Sequence, residues 1–182
     1  MSYDFNNAER NDFDLIPAKT VVPVRVAVLA GDAGTPENAF AVTKSGLHQL
    51  ALELTVTEGD YAKRKIWQRL TMGAQKGVEL TEGQERAIAI SGSTIRAMLE
   101  AGRGVAPTDD SAQAITARKM ESLFELDGLE FFVEIGIEKD KTGAYPDKNR
   151  IAKVMPAKSV GAKAANAPAK HVASAKKAAW AQ

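Results

Sequence analysis

The chain has no cysteine. Structural disulfides and thiolate chemistry are therefore excluded, which favours an intracellular setting. Histidine is nearly absent too. His48 begins a strand and His171 lies in a Lys/Ala segment, and neither has a Ser or Cys partner arrangement for nucleophilic catalysis. No apolar run approaches the length of a membrane span, and the polar, acidic start MSYDFNNAERNDFD is unlike a signal peptide. The expectation is a chain with no membrane partner. Phosphate loops are missing as well, because Gly31/Gly34 and Gly102/Gly104 are wrongly spaced for one. The acidic residues show neither a Ca²⁺-loop nor a two-metal pattern. Asp109 and Asp110 precede a helix and read as its cap, while Asp4, Asp12 and Asp14 sit in a polar N-terminal arm. The expectation is a non-enzyme with no cofactor, metal or catalytic residue.

Acid is also absent from residues 153–182, which hold six lysines. Residues 1–152 hold 18 basic and 23 acidic residues, a net of −5, so the overall +1 hides two opposed regions. From Lys158 the composition falls to Ala, Lys, Pro, Ser and Gly. Residues 158–182 thus read as a disordered basic tail, and 1–157 as one domain with an N-terminal arm. The tail fits a solubilising linker and a salt-dependent attraction to polyanions equally. Trp180 stands out within it.

The body reads as strands, then helices, then strands. Val22, Val24, Val26 and Val28 share one face of a strand over 20–29, and Pro23, which has no amide donor, places that strand at a sheet border. AGDAGTPENAFAVTKSG reads as loop. Leu50, Leu52, Leu54 and Val56 mark a second strand, with Ala51, Glu53 and Thr55 facing away. Folding about Gly59 pairs Thr55 with Lys63, Glu53 with Lys65 and Ala51 with Trp67. Ile88, Ile95, Met98, Leu99 and Gly102 form a helical stripe that Ser91–Thr94 could interrupt, with Ser93 capping a shorter helix. A second helix runs from Thr108 or Asp109 to about Leu123. LEFFVEIGIE is the fourth strand, with Leu129, Phe131, Val133, Ile135 and Ile137 inward. Residues 150–155 form the fifth.

The hairpin's third strand carries the chemistry. Read with a period of two, Tyr61, Lys63, Lys65, Trp67 and Arg69 share one face. Rings between cations on an open face suit a flexible nucleic-acid strand, since bases stack on the rings and phosphates meet the cations. Arg64 belongs to the other face unless a bulge turns it. Phe132 interrupts the acidic outer face of the fourth strand, where it stacks on a base or packs under a helix. Lys148 and Arg150, on the closing strand, complete the candidate DNA-binding set. The competing reading is a solvated strand face, or a protein-docking face of a structural or adaptor module in a virion or assembly. Five strands with a helical insertion before the fourth suit an OB-like Greek-key barrel, with an α+β sandwich as the alternative.

The ordered features FNNAE, FDLIPAKTVVPV, TKSG, VTEGDYAKRKIWQRL, LDGLEFFVEIGIEKD and DKNRI, covering about residues 4–155, resemble a family of small phage and prophage proteins encoded beside recombination and replication functions. The resemblance implies an OB-like core and single-stranded DNA-binding in the host cytoplasm. It also implies a phage annealing or replication protein as partner, and it carries over no site residues. Whether the chain forms a homo-oligomer stays open. The basic tail departs from the acidic tips that recruit partners to many single-strand binding proteins.

Overall fold

Valines at every second position, with Val21, Pro23, Arg25 and Ala27 between them, make the first strand. In a computed structural model, which describes residues 6–7, 14–140 and 142–156, it is β1, Val21–Val28. Val22, Val24, Val26 and Val28 are buried. The other strands are β2 (Phe40–Val42), β3 (Leu47–Val56), β4 (Lys65–Ala74), β5 (Glu130–Glu138) and β6 (Lys148–Val154). Two helices, α1 (Glu82–Gly102) and α2 (Ala112–Ala117), lie between β4 and β5. The tail assigned to 158–182 lies outside the described residues.

The strands form one antiparallel sheet in the order β2-β3-β1-β5-β6, with β4 on β3's other edge. β1 is thus central, not a border strand. Pro23 is tolerated there because its position faces the end of β3, where only its carbonyl is used, accepting from the Thr57 N–H at 3.0 Å. The stretch expected as loop contains β2 and a one-turn 3-10 segment, Pro36–Asn38.

The expected interruption of the helical zone is absent. Thr81 and Gln84 form a capping box, and α1 then runs unbroken for 21 residues. The hydroxyls of Ser91, Ser93 and Thr94 bond carbonyls four residues back, so they stay in the helix instead of capping a new one. Ile95, Met98 and Leu99 are buried as the stripe predicts. The second helix is much shorter than expected, and its cap is Ser111, not Thr108 or Asp109. A 3-10 turn, Leu123–Leu126, leads on to β5.

Behind α1 lies a buried acid. Glu100 accepts from Arg96 at 2.8 Å and from Arg118 at 2.6 Å. Burial pushes its carboxyl up, but the two guanidinium groups outweigh burial and hold it below the usual carboxylate range. Arg118 also donates to the carbonyls of Ala106, Pro107 and Asp109, tying the loop after α1 to the helix.

The inner face of the sheet packs with Ile16, α1 and Leu126 into one core. The sheet curls until β4 and β6 approach each other, but among the described residues no ladder closes it. Side chains bridge the gap instead. Gln68 of β4 accepts from the Ile151 N–H of β6 at 3.4 Å. Asn149 of β6 bonds both backbone groups of Ile16, at 2.9 and 2.8 Å, and Arg64 donates to the Asp14 carbonyl.

Candidate nucleic-acid interface

The turn between β3 and β4 decides which residues reach the outer face. It is longer than a tight hairpin. Lys63 N–H and Arg64 C=O both bond Val56, at 2.8 Å each, so two residues oppose one in a bulge. Lys63 takes the left-handed position usually given to glycine, with φ 69°. The register is therefore Thr55 with Lys65, Glu53 with Trp67 and Ala51 with Arg69. That is two residues from the expected pairing. An even shift preserves the faces, so Lys65, Trp67 and Arg69 still point outward.

Tyr61 and Lys63 do not extend that row. Both belong to the turn, since β4 begins at Lys65. Tyr61 is half-buried against the edge of the core, and Lys63 is exposed. Arg64 is half-buried on the inner side, where its bond to Asp14 holds the N-terminal segment over the sheet edge.

Trp67 is 59% exposed near the start of β4, between exposed Lys65 and Arg69. Lys65 reaches Glu53 at 2.7 Å, so one cation is already engaged. Arg69 is in no ion pair among the described residues. On β6, Arg150 is exposed and Lys148 pairs loosely with Glu138 at 3.4 Å, an exposed contact of little energetic weight. The Gln68–Ile151 contact brings this strand alongside β4.

No known protein family, curated protein or solved structure matches the chain. The site is therefore read from its own geometry.

Phe132 is half-buried on the outer face, opposite Pro23. It lines a groove with Val21, Pro23 and Tyr61, which puts it with Tyr61 and apart from Trp67. Sequence reading missed Tyr145, 75% exposed in the loop between β5 and β6. Asp140 braces that loop, accepting from Thr142 Oγ1 at 2.6 Å and from the backbone of Ala144 and Tyr145 at 2.7 and 3.0 Å. Those bonds, Thr142's first, hold its carboxyl below its ordinary value. A lone Tyr in a Gly/Pro-rich turn gives no periodic signal that would reveal it.

Proposed function

We propose that the outer face of β3 and β4 binds single-stranded DNA. Bases stack on Trp67, and Lys65 and Arg69 meet phosphates. The observation that carries this reading is Trp67 itself, more than half exposed between two cations on a regular strand. Tryptophan is among the more buried residues on average. Arg150 and Lys148 extend the cationic path onto β6.

The strand order supports an OB-like arrangement. The paired path β6-β5-β1-β3-β4, with a helix between β4 and β5, is the order a five-stranded Greek-key barrel would have if β4 and β6 also paired, which among the described residues they do not. In such barrels the second and third strands carry the oligonucleotide face, and β3 and β4 hold those places here. The phage and prophage resemblance implies a core of the same kind. The chain would coat strands during replication or recombination without chemistry of its own, and hand them to an annealing or replication protein.

Anisotropy titrations with labelled single-stranded DNA, single-stranded RNA and duplex DNA test the reading. Trp67→Ala should weaken single-strand binding by ~1–3 kcal/mol, the loss of one stacking platform, with unchanged circular dichroism. Undiminished affinity in a folded variant would turn the face into a protein-docking surface of a structural or adaptor module.

A further inference from the structure

The outer face carries a second feature, apart from Trp67. A groove of about 350 Å³ is lined by Val21, Pro23, Tyr61 and Phe132 together with the acids Glu58 and Asp60. Both acids are exposed, and neither is in an ion pair among the described residues. Apolar side chains and these two acids on one groove suit an aromatic side chain flanked by cations.

We propose that this groove holds Trp180 of the same chain, with Lys176 and Lys177 against Glu58 and Asp60. Three observations carry the assignment. The described residues end beside the groove, because the Met155 N–H donates to the Phe132 carbonyl at 2.9 Å. Trp180 is the only Trp, Tyr or Phe in 157–182, and it follows a Lys-Lys pair by three residues. Charge complements on both scales: locally in the groove, and globally as −5 for residues 1–152 against six lysines and no acid beyond them.

Reach is not limiting. A coil of the length separating Met155 from Trp180 spans about 25–30 Å r.m.s., ample for a site next to its origin. Tethering at that distance gives an effective concentration on the millimolar scale, so a weak contact is occupied. The charge pairs are exposed and screened by salt, while the ring supplies the apolar contact. Docking should therefore weaken, without vanishing, as salt rises. None of this depends on nucleic-acid binding.

The test uses the full chain with Trp67→Phe, which leaves Trp180 as the sole indole. At low salt its emission should be blue-shifted and protected from acrylamide relative to a synthetic peptide of residues 170–182. The pair Glu58→Lys and Asp60→Lys, both at exposed positions, should return it to the peptide's values with the fold intact by circular dichroism. Phe132→Ala should do the same. Peptide-like emission in the parent at low salt would overturn the proposal, as would protection that survives both sets of changes. Protection that grows with protein concentration would overturn it in favour of a second copy as the host.

Discussion

Glu53 sits directly across the ladder from Trp67 and 2.7 Å from Lys65, so it opposes the function proposed for this face. Glu53→Gln removes a charge that repels phosphate and releases Lys65. Single-strand affinity should rise at low salt, and the slope of log affinity against log salt should steepen by about 0.7, the value for one added phosphate contact. An unchanged slope would show that Lys65 meets no phosphate. Lys63 makes a separate point. Its φ of 69° lies where a β-branched side chain is badly strained. Lys63→Val should lower stability by ~1–2 kcal/mol in urea unfolding, whereas Lys63→Gly should not.

Among the elements, the clearest stability prediction belongs to α1. Glu100→Gln leaves the guanidinium of Arg118 buried beside a neutral partner, a loss of about 3 kcal/mol. The native carboxyl is held below its ordinary value of 4.5. Its contribution is therefore present above about pH 4.5 and is lost as pH falls through the depressed value. The gap between native and variant unfolding free energies should close in acid. Strand alternation was the most legible part of the sequence, because burying one face imposes a period of two. That is why Val22, Val24, Val26 and Val28 of β1, Leu50, Leu52 and Leu54 of β3, and Phe131, Val133 and Ile135 of β5 are buried as expected, whereas Ile137, beyond the irregularity between Glu134 and Ile135, is only half-buried. Turn length was not legible. Nothing local announces that Lys63 will occupy a glycine-like bulge position, and so the register moved by two and Tyr61 left the face. Serines misled in α1 because their hydroxyls bond equally well to the preceding turn. Nor does anything local announce that Arg64 and Gln68 will bridge to other segments, because that role exists only once β6 and the N-terminal segment arrive.

Over the whole molecule, the sheet curls far enough to bring β6 beside β4 while no ladder joins them among the described residues, so exposed Lys148 and Arg150 of β6 lie on a strand next to the one that carries Lys65, Trp67 and Arg69. The central claim is that a base stacks on Trp67. With Trp180→Phe, Trp67 becomes the only indole, and its emission reports the contact directly. Titration with a short single-stranded DNA should quench it strongly and saturably. The midpoint should shift to higher DNA concentration as salt rises, and duplex DNA should quench far less. Saturable binding in a parallel anisotropy measurement, with Trp67 emission unchanged, would contradict the account.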